Sequence, residues 1–161
     1  MTDRAQRPAI EGWLVSDPAR PRLLGTRCTA CGTYYFPPQS SACRNPDCRS
    51  RSFEQVELSE RGRVWSVTSA GYAPPPPYIA PDPYVPFTLV AVELERERMV
   101  VLGQAVSGTQ PRDLRVGDEV ELAIETLCTI DGEDHLIWKW RPVAAGAKTS
   151  DEVTSSTEAG A

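Results

Sequence analysis

Cys28, Cys31, Cys43 and Cys48 fall within one short stretch, RCTACGTYYFPPQSSACRNPDC, and their spacing constrains the fold more than any other feature of the chain. Zn²⁺ is borderline soft, prefers four ligands and deprotonates the thiols it binds. Two short knuckles of paired thiolates can therefore close on one tetrahedral ion. The first, Cys28-Thr-Ala-Cys31-Gly32, is tight, with Gly32 free to turn the backbone toward the sulfurs. The second, Cys43-Arg-Asn-Pro-Asp-Cys48, carries Pro46 and Asp47 where a looser turn is needed. Two structural disulfides are the competing reading, but they require an oxidising compartment, and the leading MTDRAQRPAIEGW lacks the apolar core of a signal peptide. A redox C-x-x-C calls for a surrounding βαβ pattern that is not seen. With four thiolates the shell is closed to water, so one zinc is expected to hold shape and not to perform chemistry. A cytoplasmic location is expected, since no apolar run is long enough to span a bilayer.

The chain has 161 residues, which suits one or two small domains, and the ribbon alone is too small to bury a core without its metal. The reading is mainly β, in four parts: an N-terminal helical segment over 1–24, a zinc ribbon over 25–58, a barrel over 59–143 and a disordered tail over 144–161. In the first part Ile10, Trp13 and Leu14 are spaced i, i+3, i+4, one short apolar helical face. In the third, five stretches are rich in β-branched and aromatic residues: GRVWSVTSAGY, FTLVAVELE, MVVLGQAV, DEVELAIETLCT and HLIWKWRPV. Val120, Leu122 and Ile124 alternate with glutamates, interrupted only by Ala123, so that strand has one wet face. Five such strands with no long helix between them predict a small Greek-key barrel of the five-stranded OB type. Between the first two lies APPPPYIAPDPYVP, which cannot be a central strand because its prolines remove ladder donors, and it is long for a loop in so compact a domain. The tail has almost no large apolar residues.

The ordered motifs RCTACG, FPP, GRVWSVT, PYVPFTLVAVEL, VVLGQAV and LRVGDEVEL resemble a bacterial and archaeal family that joins a zinc ribbon to an OB-fold, long classed as a domain of unknown function and associated with acyl-CoA enzymes. The similarity runs from about Glu11 to Val143. It implies an N-terminal helical segment, a rubredoxin-like ribbon and an OB barrel. It also implies a role as accessory subunit of a thiolase-like or lipid-transfer-protein-like enzyme that makes or breaks a carbon-carbon bond in an acyl-CoA: a thiolase, an acyltransferase or a steroid side-chain retro-aldolase.

The residues agree with a non-catalytic role. Outside the ribbon the chain has one cysteine, Cys128, and its one histidine, His135; they flank Asp131-Gly132-Glu133-Asp134, so a Cys/His pair across a hairpin is conceivable. The plainer reading is a small thiol packed in a strand and a histidine at a strand start. Tyr72, Tyr78 and Tyr84 sit on a stiff proline scaffold that loses little entropy on docking, and are expected to face a partner or its acyl-CoA entrance, unless they only cover one end of the barrel. Tyr34 and Tyr35, with Phe36, offer a contact for a partner or a pantetheine arm, against packing between ribbon strands. Trp13 and Leu14 are candidates for docking on the partner, against packing on the chain's own ribbon.

Two other classes compete. Ribbons and OB-folds both bind single-stranded nucleic acid, and Arg20, Arg22, Arg27, Arg44, Arg49, Arg51, Arg61 and Arg63 make the first part of the chain basic. The barrel segment is acidic, however, and would repel phosphates; the whole chain carries a net charge of -5. A stand-alone acyl-CoA hydratase or thioesterase needs a carboxylate base, and Glu93, Glu95 and Glu97 alternate along one strand, but such period-two charges suit a solvent-facing edge.

Overall fold

The computed structural model describes residues 4–144, apart from 16, 18 and 77; the expected tail lies outside the described residues, except for Ala144. Among the described residues, ten strands form two sheets: β1 (Gln6–Pro8), β2 (Leu14–Val15), β3 (Arg22–Cys28), β4 (Tyr34–Tyr35), β5 (Phe53–Glu57), β6 (Arg61–Ala70), β7 (Phe87–Leu94), β8 (Met99–Ala105), β9 (Glu119–Ile130) and β10 (Glu133–Pro142). A 3-10 turn, Pro111–Asp113, lies between β8 and β9. The small sheet is antiparallel, with β3 paired to β2, β4 and β5.

The five C-terminal strands close on themselves. β6 pairs with β7, β7 with β8, β8 in parallel with β10, β10 with β9, and β9 returns to the start of β6. One parallel pairing in an otherwise antiparallel, closed five-strand order is the OB topology the sequence predicts. Each strand falls on one of the five β-rich stretches. Val120 and Leu122 point inward beside Trp140, Val90, Val92 and Val101. At Gly103 the backbone of β8 runs so close to these side chains that an added Cβ would lie 2.9 Å from both indole nitrogens of Trp138 and Trp140.

The expected N-terminal helix is not formed. Gly12 turns the chain with a φ of 77°, and the flanking residues pair as strands with partners distant in sequence. β1 runs parallel to β10, with Arg7 opposite His135, and β2 is antiparallel to β3, with Leu14 opposite Leu23. The backbone donors and acceptors that a short helix would satisfy within itself are met across sheets, for example by Leu24 N–H to the Trp13 carbonyl at 2.8 Å. A spacing of i, i+3, i+4 over one turn carries too little local energy to resist that.

The alternation of Glu93, Glu95 and Glu97 does not continue as a face either. β7 ends at Leu94, Arg98 N–H bonds the Glu95 carbonyl at 3.3 Å, and Arg98 adopts a φ of 54°. The resulting turn sends Glu97 inward, where its side chain is 0% exposed.

Ribbon and barrel share one hydrophobic core. Leu14 and Leu23 from the small sheet, and Leu58 just after β5, belong to the same cluster as Val64, Leu94 and Trp140 of the barrel. Over the seam, Trp13, Phe36 and Trp138 form an aromatic triangle, with ring centroids 5.5 Å (Trp13–Phe36), 5.4 Å (Phe36–Trp138) and 6.1 Å (Trp13–Trp138) apart. The proline-rich segment, 71–86, is anchored at its end by the Tyr84 hydroxyl, which donates to the Ala70 carbonyl at 2.7 Å.

Candidate metal centre and its surroundings

β3 delivers Cys28 to the end of the small sheet, and the chain reverses at once. Gly32 N–H donates to the Cys28 carbonyl at 2.9 Å, and Cys28 N–H to the Thr33 carbonyl at 2.9 Å. A left-handed φ of 75° at Gly32 makes this turn possible, a conformation that favours glycine. In the second knuckle Cys48 N–H donates to the Asn45 carbonyl at 2.9 Å, while Asp47 N–H donates to the Asn45 side-chain oxygen at 3.1 Å. Cys43 N–H reaches the Ser50 carbonyl at 2.9 Å, so the knuckle closes on itself.

The four sulfurs all lie within 4.8 Å of one another. The nearest contacts run between knuckles, Cys28 to Cys48 at 3.9 Å and Cys31 to Cys43 at 3.5 Å. A tetrahedron with Zn–S bonds of about 2.3 Å has edges of roughly 3.8 Å, whereas a disulfide needs about 2.05 Å. Geometry and an all-sulfur donor set therefore both fit one structural zinc, with no position left for water. Cys31 is already held down to about 6 by the hydroxyl and backbone of Thr33. Cys48 is pushed up to about 11: a backbone hydrogen bond at Ser50 lowers it, but burial and the three neighbouring sulfurs outweigh that. A dication supplies the charge that lets all four ionise together.

Tyr35 supports the centre. Its hydroxyl lies 3.1 Å from the Cys43 sulfur and accepts the Arg44 N–H at 2.9 Å, so it ties the β4 strand to the second knuckle. Tyr34 is half-buried beneath the Arg27 guanidinium, 5.6 Å from the ring centroid. Of the other residues expected to face a partner, Leu14 is 4% exposed and lies in the core, and Trp13 is half-buried in the aromatic triangle. Tyr84 is half-buried and tied to Ala70, and Tyr78 leans on Phe87 at 5.9 Å. Tyr72 alone of these stands free, 79% exposed.

Cys128 and His135 are direct register partners on β9 and β10, but no hydrogen bond joins their side chains among the described residues, and His135 is buried. Arg20, Arg22 and Arg27 are paired with Glu57, Glu60 and Glu54, which neutralises part of the basic cluster; Arg44, Arg49 and Arg51 remain exposed without an ion pair among the described residues. Sequence reasoning missed Glu97. One of its carboxylate oxygens accepts from the Ser59 N–H, the Ser59 hydroxyl and Arg96, joining the linker between ribbon and barrel to the β7–β8 turn. No helix of the described residues is long and apolar enough to cross a membrane.

A four-cysteine ribbon fused through one core to an OB barrel defines the class of protein. Residues 16–54 match the family described as ChsH2, rubredoxin-like zinc ribbon domain, and residues 55–125 the one described as ChsH2, C-terminal OB-fold domain. A DUF35 domain-containing scaffold protein of Methanocaldococcus jannaschii is 32% identical over 128 residues, covering 75% of this chain and 82% of that protein. The benzoylsuccinyl-CoA thiolase subunit BbsA of Thauera aromatica is 30% identical over 134 residues, covering 80% and 81%. A solved structure titled Ltp2-ChsH2(DUF35) aldolase superposes with a TM-score of 0.57 at 29% identity, covering 75% of this chain and 84% of that one. The chain belongs to the ChsH2/DUF35 family of zinc-ribbon and OB-fold proteins.

Proposed function

We propose that this chain is a non-catalytic accessory subunit of a thiolase-like acyl-CoA enzyme, a thiolase, an acyltransferase or a retro-aldolase, which it stabilises and whose acyl-CoA site it helps to shape. The similarity to a thiolase subunit and to a chain of an aldolase complex carries the reading. Chemistry on the chain itself agrees with it. The zinc centre is closed by four thiolates, and the Cys128 and His135 side chains share no hydrogen bond of the kind nucleophile activation needs. Cytoplasmic action follows from the same reading, since acyl-CoA enzymes and free thiolates share that compartment.

The proline-rich segment is the part offered to the partner. Tyr72, Ile79 and Val85 are exposed there, while Tyr84 and Tyr78 hold the segment to the barrel, so docking costs little additional ordering. Trp13 and Leu14, packed against barrel residues, support the partner's site indirectly by holding ribbon to barrel, and Tyr34 and Tyr35 do so by holding the ribbon itself.

A tagged pull-down from the native host, followed by native mass spectrometry with metal analysis, tests the reading. A stable complex with a thiolase-like protein and one zinc per copy is expected. Recovery with nucleic acid, or as a lone species that turns over an acyl-CoA, would overturn it.

A further inference from the structure

Beneath the proline-rich segment lies a cleft of about 350 Å³, within the size range of small-molecule sites. Tyr78, Ile79 and Val85 form one wall, and Phe87, Gln104 and Lys139 belong to the barrel wall facing it. Tyr78, Ile79, Val85 and Phe87 give the cleft an apolar side, the remaining lining is mostly polar, and the Lys139 side chain there is only 9% exposed. Its ammonium lies 2.8 Å from the Glu125 carboxylate and 3.3 Å from the Ser107 hydroxyl. Ser107 in turn donates to the same carboxylate, from its hydroxyl at 2.8 Å and its backbone N–H at 3.2 Å.

Two features point away from a purely structural network. Lys139 is buried while Glu125 is partly exposed, and the desolvation of the lysine offsets much of what the pair gains, so stability is weak ground for placing a lysine there. Lysine also has three donors, of which two are used among the described residues, and the amide of Gln104, register partner of Lys139, makes no side-chain hydrogen bond among them. The cleft thus combines an apolar side, unspent polar groups and a charge that Glu125 already balances.

We propose that this cleft binds an uncharged carbonyl compound with an aromatic or aliphatic body, of the amide or ester class, whose oxygen accepts from the Lys139 ammonium. A carboxylate would be repelled by Glu125 and an ammonium by Lys139, so the neutral ligand is preferred. The site belongs to this chain itself and stands whether or not the accessory reading holds.

The test is a titration of the isotope-labelled full chain, followed by NMR, with N-benzylacetamide and with benzoate and benzylammonium as charged counterparts of similar size. Saturable shifts centred on Gln104, Ser107, Thr126 and Lys139 are expected with the amide, with a Kd on the order of 1 mM, as befits so small a ligand. Lys139→Met removes the donor and should weaken binding roughly tenfold. Ile79→Glu, at an exposed position on the mouth, should do the same without disturbing the barrel. Scattered or unsaturable shifts, equal affinity for either charged compound, or unchanged affinity in Ile79→Glu would overturn the proposal.

Discussion

A carboxylate oxygen of Glu97 accepts the backbone N–H of Ser59 at 2.8 Å, across 38 residues of sequence, at the point where ribbon passes into barrel. The same oxygen takes the Ser59 hydroxyl at 3.1 Å and the Arg96 guanidinium at 2.9 Å. A buried carboxylate so bonded fixes the linker and thereby the relative position of the two sheets. Replacing Glu97 with alanine leaves the Ser59 N–H unpaired and should cost about 3 kcal/mol in denaturant unfolding. A loss below about 0.5 kcal/mol would show that the linker is held by the shared core alone.

The aromatic triangle makes a separate claim. Phe36→Ala should destabilise by about 3–4 kcal/mol and shift tryptophan emission to longer wavelength, because it opens the space between Trp13 and Trp138. An unchanged spectrum would mean that the ring does not seal the seam.

Zinc is expected to be inseparable from ribbon folding. Cys48→Ser should reduce bound zinc from one equivalent toward none and unfold the small sheet, since the metal supplies much of the folding free energy of so small a unit. Tyr35→Phe keeps all four sulfurs and should retain the ion while releasing it faster to a chelator, by roughly tenfold. Plasma emission spectrometry and a chelator competition read the two effects.

Glu125 gives the pH dependence its sign. Burial pushes its carboxyl up, but the bonds from Lys139 and Ser107 outweigh this and hold it below the ordinary value of 4.5. A depressed folded value means stability that is present above the unfolded pKa and is lost as pH falls through the lower folded one. Thermal melts of the wild type and Glu125→Gln should therefore differ most near neutrality and converge as pH falls through and below the ordinary carboxylate range. A gap that persists in acid, once the carboxyl is protonated, would show that the pair's charge is not what matters.

Much of this protein was legible without coordinates wherever the signal is local. Cys28, Cys31, Cys43 and Cys48 announce a zinc site because a metal knuckle is a turn of a few residues, and its spacing is written in the chain. The five barrel strands are legible for the same reason: β-branched runs between turn residues impose a period of two over each strand. Tertiary structure decided what depends on partners far away in sequence. The residues around Trp13 and Leu14 are strands and not a helix because β3 and β10 supply backbone partners, and a single turn of helical spacing is too weak to compete. Glu97 reads as the third member of a solvent-facing alternation, and only the turn at Arg98 and the linker at Ser59 make it a buried latch. Lys139 reads as one charged residue in a strand, and its burial against Glu125 and Ser107 arises from the fold closing over it. Short-range spacing determined the ligands and the strands. Long-range hydrogen bonding, which pairs residues that no local pattern connects, determined how they are held together.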